Sequence, residues 1–160
     1  MALQAYRRAV NDPDMRLSGP TCISPLVDKA IEVVKRTKQH HMLLIIADGQ
    51  LTYFDRDMEA VKRASDYPLS ITMVGVGDGP WGDMERLDDE MPAGRRFDNF
   101  QFVDYEKCRQ YPDANVRKSM FARNACESNP AALPRCTTQP PVTSAFSPAK
   151  FSLLFFSCVF

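Results

Sequence analysis

The chain reads as α/β: an open, doubly wound parallel sheet of about three strands with flanking helices. Three observations predict it. The run MLLIIA at 42–47 is apolar without a break and ends in Asp48-Gly49, as expected of a strand buried on both faces of a parallel sheet. A second run, LSITMVGV at 69–76, is apolar and rich in β-branched residues. Around these runs lie segments with apolar residues at helical spacing, and strands alternating with helices imply right-handed crossovers in a parallel sheet. Ligands of such sheets bind just past the carboxyl ends of the strands, so Asp48 marks the surface of interest.

The elements follow in order. Leu3, Tyr6, Arg7 and Val10 share one side of a short helix over 3–10, which Asn11-Asp12-Pro13 stops, because a proline disfavours helix in the residue before it. Ser18-Gly19-Pro20 signals a turn. Ser24 then serves as N-cap with Pro25 at the first helical position. Val27, Ala30, Ile31 and Val34 form the apolar stripe of that helix, and Lys35, Arg36 and Lys38 suit its carboxyl end. After the strand at 42–47, Asp55 or Asp57 caps a helix over about 57–66, with Met58 and Val61 facing the core and Lys62 and Ser65 continuing the spacing. Pro68 separates this helix from the strand at 69–76. A glycine-rich loop follows at 75–80, then a short helix at 81–87 and a last strand in FDNFQFVD at 97–104, with Phe100 and Phe102 alternating. Asp113 caps a final helix that runs to about Cys126 and turns Val116, Met120 and Phe121 inward.

A length of 160 residues suits one domain, and 20 basic against 20 acidic side chains leave zero net charge, which offers no footprint for nucleic acid. The five cysteines, Cys22, Cys108, Cys126, Cys136 and Cys158, form no CxxC pair, which points to reduced thiols in an intracellular protein. MALQAYRRAV has no apolar segment of signal-peptide type after its arginines. FSLLFFSCVF has half the length, about 20 residues, of a membrane-spanning helix. The run after Asn129, PAALPRCTTQPPVTSAFSPAK, is rich in Pro, Ser and Thr and has linker-like composition. The expected division is an ordered region at 1–126 and a disordered or irregular tail at 127–160.

Other features weigh less. The loop 75–79 lacks the Lys-Ser/Thr of a phosphate loop and suits a turn with positive φ angles. Asp78, Asp83, Asp88 and Asp89 read as a solvated acidic stretch. His40-His41 has no Cys or His partner at zinc spacing and suits a loop. Cys108 and Cys126 lack an adjacent base, and Trp81 suits a lid over the sheet end.

Taken together, GPT at 19–21, LLIIADGQ at 43–50, YPLS at 67–70, VGVGDGPW at 74–81 and FDNFQFV at 97–103 resemble the von Willebrand factor A-type domain of the copine family. The wording is nearest to the copine domain of plant RING-type ubiquitin ligases, and the resemblance covers roughly Leu3 to Tyr105. The resemblance implies a Rossmann-like A-type sheet that holds Mg²⁺, Mn²⁺ or Ca²⁺ through a DxSxS motif, a threonine and an aspartate. Thr21 matches the threonine and Asp48 the aspartate, while the DxSxS motif has no counterpart. The chain is therefore expected to hold the carboxyl-terminal part of the domain, starting after the family's first three strands. In that family the motif-bearing first strand lies beside the strand at 42–47, so this strand is expected to become an exposed sheet edge of a marginally stable half-domain.

The function expected by resemblance is a protein-interaction module that meets a protein partner at the strand-end surface, in ubiquitin ligation or Ca²⁺-dependent signalling. Thr21 and Asp48 are the metal candidates, for weak Mg²⁺ or Ca²⁺ binding only, because hard cations want six or more oxygens. No catalytic residue and no zinc are expected, since a RING needs about eight Cys or His ligands in spaced pairs. The alternatives are a ubiquitin-ligase family member without its own RING, and a nonfunctional gene fragment. No nucleic acid and no transmembrane segment are expected. The implied setting is the cytoplasm, the nucleus or a membrane periphery reached through other domains.

Overall fold

The computed structural model describes residues 21–90, 94–125 and 152–158, together with Gln4, Arg7, Arg8 and Asn11. Gln4, Arg7 and Arg8 are helical; the rest of the helix expected at 3–10, the turn at 18–20, Cys126, Cys136 and the linker-like run lie outside the described residues. Helix α1 spans Ser24–Thr37 and leads into strand β1, His41–Ala47. Then come α2 (Phe54–Ala64), β2 (Leu69–Gly75), α3 (Gly82–Asp89), β3 (Phe100–Asp104), α4 (Tyr105–Arg109) and α5 (Ala114–Ala125). Strand β4, Ser152–Cys158, completes a parallel sheet ordered β3-β2-β1-β4.

The three expected strands are present, and their register builds one core. Leu43 stands beside Ile71 and Ile71 beside Phe100; one step on, Ile45, Met73 and Phe102 repeat the row. Side chains of neighbouring strands in register share a face. This face packs on Val27, Ala30, Ile31 and Val34 of α1, on Ala60, Val61 and Ala64 of α2, and on Met84 and Leu87 of α3. Each fully buried Leu, Ile or Phe there stabilises the fold by about 1.5–3 kcal/mol.

The other face is covered unevenly. All seven residues of β2 are buried, whereas β1 alternates, with Met42, Leu44 and Ile46 half-buried, so the burial on both faces expected at 42–47 is not met by β1. Helix α5 lies over this second face: the Thr72 hydroxyl donates to the Ala125 carbonyl at 3.3 Å. No residue of α5 is buried, and Val116, expected to face inward, is 43% exposed. Asp113 does cap α5, accepting from the amides of Asn115 and Val116 at 2.8 and 2.9 Å. Those bonds hold its carboxyl below the usual range.

The exposed edge expected at 42–47 is overturned. β1 pairs with β2 on one side and, over all seven residues from His41↔Ser152 to Ala47↔Cys158, with β4 on the other. The physical reason is the cost of an unpaired apolar edge, met here by another apolar run of the same chain, SLLFFSC. That run belongs to the stretch read as linker-like or irregular.

Candidate functional site

All four strands run the same way, so their carboxyl ends gather at one end of the sheet. Asp48 follows β1, the glycine-rich loop follows β2 and Asp104 closes β3. The loops there are tied to one another. The Val76 amide donates to the Ala47 carbonyl at 2.9 Å, and the Thr52 amide to the Thr21 carbonyl at 2.9 Å. The Gln50 carboxamide reaches from the β1 loop to Asp83 on α3 at 2.7 Å, and the Arg86 guanidinium lies 4.4 Å over the Phe54 ring.

Trp81 packs over the end of the sheet against Phe102, with ring centroids 5.7 Å apart. Gly75 makes this possible: a Cβ there would stand 3.0 Å from the Phe102 ring and 3.2 Å from that of Trp81. Gly77 and Gly79 have φ of 101° and 80°, the conformations expected of this turn. The strand-end loops also present Tyr53 before α2 and Tyr105 at the start of α4, exposed by 48% and 38%. Tyr105 meets Phe121 edge-on at 5.9 Å.

Thr21 is buried and Asp48 is half-buried at the end of β1. The structure brings no further carboxylate set to them: among the described residues no group of three or more His, Cys, Asp or Glu is placed to hold a metal. One hydroxyl and one carboxylate do not fit a divalent ion that wants six or more oxygens. At the position beside β1, the strand that ends next to Ala47 is β4, and the residue in register there is Cys158.

Several buried polar residues went unread in the sequence. Asp57, expected to cap its own helix, instead caps α1. α2 starts at Phe54, three residues earlier than expected, which turns Asp57 into the core, fully buried. Its Oδ1 accepts from the Ser24 amide at 2.8 Å and from the Cys22 thiol at 3.3 Å, while Ser24 makes no cap of its own. Burial raises the Asp57 carboxyl above its ordinary value, and the Ser24 amide offsets part of that. An aspartate near the start of α2 reads in the sequence as a cap of its own helix, and only the fold brings it to the start of α1.

Arg95 is another. Its side chain is 2% exposed, donates to the Leu87 carbonyl at 2.8 Å and to Asn99 at 3.3 Å, and stands 3.7 Å from Asp98. Asn99 in turn donates to the Val61 carbonyl at 3.0 Å, so the 95–99 loop is pinned to α2 and α3. His41, read as a loop residue, opens β1 and is buried. The Thr37 hydroxyl donates to the Val33 carbonyl at 2.9 Å, so it accepts from His41 Nε2 at 2.6 Å and sets that tautomer. Burial first, and the charge of Asp104 second, push the Cys108 thiol up, which makes it a poor nucleophile.

An open parallel sheet with tied loops at one strand end defines a partial fold of the von Willebrand factor A type. The family model described as Copine matches residues 1–140, past the last motif quoted above. The chain belongs to the copine family. It is 50% identical over 114 residues to Copine family protein 2 of Caenorhabditis elegans, covering 71% of this chain and 1% of that protein. It is 43% identical over 135 residues to the E3 ubiquitin-protein ligase RGLG3 of Arabidopsis thaliana, covering 76% of this chain and 36% of the ligase. With RGLG5 of the same plant the identity is 49% over 116 residues, 64% of this chain and 26% of the ligase. The chain therefore spans little more than a third of these relatives at most. No helix among the described residues is long and apolar enough to cross a membrane.

Proposed function

We propose that the chain acts as a protein-interaction module whose partner docks on the surface at the carboxyl ends of β1, β2 and β3. The observation that carries this reading is the placement of Tyr53, Trp81 and Tyr105, one aromatic after each of these strands, the first two on segments tied by the Gln50–Asp83 and Val76–Ala47 bonds and the third at the start of α4. Tyrosine and tryptophan on a rigid support dominate the energetics of protein interfaces, because they bury much area at little entropic cost. Proximity labelling in cells with the full chain tests it. A set of proteins marked by the wild type is expected to be lost in Tyr53→Ala/Tyr105→Ala, with the far-UV circular dichroism unchanged and the melting temperature lowered only by the loss of the Tyr105–Phe121 contact. An identical set from both chains would contradict the reading.

The context proposed is ubiquitin ligation, because relatives of this chain carry the name E3 ubiquitin-protein ligase. In that setting the chain supplies a docking surface and a RING-bearing partner supplies the transfer. Mixed with activating enzyme, conjugating enzyme and ubiquitin, the purified chain is expected to form no ubiquitin conjugates by itself. Conjugates formed without any partner would favour the enzyme reading.

A further inference from the structure

Among the described residues β3 is the end strand of the sheet, and its backbone register fixes which of its groups face outward. The Ile71 amide donates to the Asn99 carbonyl at 2.7 Å, and Ile71 stands opposite Phe100. In a parallel pair this turns the backbone groups of Gln101 and Val103 toward β2 and those of Phe100, Phe102 and Asp104 outward. At Phe102 the outward pair is engaged by two side chains. Its amide donates to Asp88 Oδ2 at 3.2 Å, and its carbonyl accepts from Gln101 Nε2 at 3.2 Å. The same Gln101 nitrogen donates to Asp88 Oδ2 at 2.9 Å. One acceptor and one donor thus stand where the acceptor and donor of a neighbouring strand would stand.

A cleft of about 240 Å³ runs beside this edge, walled by Glu85, Asp88 and Asp89 of α3 and by Asp104, Lys107 and Asn124. Four carboxylates face one ammonium, Lys107, which spans the cleft between Glu85 at 3.4 Å and Asp104 at 3.7 Å. We infer that the outer edge of β3 is a strand-addition site for an extended basic peptide segment, closed in the free protein by Asp88 and Gln101. The peptide backbone replaces both side chains at Phe102, and a peptide lysine or arginine then pairs with the carboxylate of Asp88 that is set free. Main-chain bonds supply the affinity of such strand addition, and the cleft walls supply the selection. A second copy of this chain is a poor occupant, because its β3 edge would bring the same carboxylates against these. The site runs along the sheet edge up to Asp104 at the end of β3; it rests on the edge groups and the cleft carboxylates, not on the strand-end aromatics, and so stands independently of the function proposed above.

Fluorescence anisotropy on the full chain at low salt tests it. The probe is a labelled, acetylated heptapeptide, Lys-Val-Lys-Thr-Lys-Val-Lys, compared with two relatives: one with alternate backbone amides N-methylated, and one with glutamate in place of lysine. Saturable binding of the first is expected, at least about tenfold weaker for the N-methylated peptide and absent for the acidic one. The exposed pair Glu85→Lys/Asp89→Lys is expected to weaken binding at least about tenfold at an unchanged melting temperature. Equal binding of the N-methylated peptide would show attraction by charge alone and overturn the inference. So would a lack of binding, or binding that the double variant leaves intact.

Discussion

Along β1 the outward backbone groups of Met42, Leu44 and Ile46 meet a whole strand, β4, whereas along β3 those of Phe102 meet two side chains, Asp88 and Gln101. The same liability, a row of unpaired amides and carbonyls, is handled at two scales. The difference follows from burial. β1 lies inside the sheet among apolar neighbours, and its flank spans seven residues. β3 has five residues and sits next to α3, whose Asp88 is close enough to reach over. A strand at the flank of β1 therefore bears on global stability, and a side-chain closure at β3 bears on local opening.

Removing residues 127–160, and β4 with them, should have the largest effect. The melting temperature is expected to fall by more than about 10 °C, since each kcal/mol lost shifts it by about 2–8 °C in domains of this size range. Light scattering should rise as the freed β1 edge pairs between molecules. A soluble deletion variant with an unchanged melt would break the comparison.

Next in size is Asp88→Ala, which takes the acceptor from the Phe102 amide and removes one of the bonds made by the Gln101 carboxamide. The expected cost is about 1–3 kcal/mol in urea unfolding, with faster hydrogen exchange confined to β3. Asp88→Asn keeps an acceptor and should cost less.

A smaller, pH-dependent effect sharpens the same point. Burial first, opposed by the Phe102 amide and aided by the charges of Asp98 and Asp89, pushes the Asp88 carboxyl up to about 6 from 3.8. Arg95 works the other way. Since the folded value is raised, the contribution of Asp88 to stability is fully present below pH 3.8 and lost as pH rises through about 6. After allowance for solvent screening at a half-buried carboxyl, about 1 kcal/mol of this loss belongs to Asp88. Urea midpoints of the wild type and Asp88→Asn at pH 4.5 and 7 should differ in slope accordingly. Asp57, also raised by burial, leaves a residual fall of the same sign in both proteins.

The smallest effect is expected at the end of β1. Titration calorimetry with Mg²⁺ or Ca²⁺ should give binding weaker than about millimolar, because Thr21 and Asp48 supply too few oxygens. Millimolar or tighter binding that Asp48→Ala abolishes would show that further ligands reach this place.

The strands were legible because unbroken apolar runs bounded by Pro68, Asp48-Gly49 and the glycine-rich loop leave few other readings. The α1 stripe was legible for the same reason: Val27, Ala30, Ile31 and Val34 are all buried. What escaped was tertiary. Asp57 caps a helix some 33 positions away, and no local pattern distinguishes that role from capping its own helix. Asp88 looked like one acid among several, and only the fold places it on the Phe102 amide. β4 escaped because its run follows a stretch of linker-like composition, where an isolated apolar segment gives no hint of its partner. The strand-end position of Asp48 was legible; the cross-ties of Gln50 and Val76 were not.

β1 is flanked on both sides by strands of this chain. Hydrogen exchange of the full chain, read amide by amide, tests this most directly. The His41 amide donates to the Pro68 carbonyl, so alternate amides from Met42 on turn toward β4. With β4 in place, Met42, Leu44 and Ile46 should exchange as slowly as Leu43 and Ile45. Rapid exchange at Met42, Leu44 and Ile46 with slow exchange at Leu43 and Ile45 would contradict this pairing.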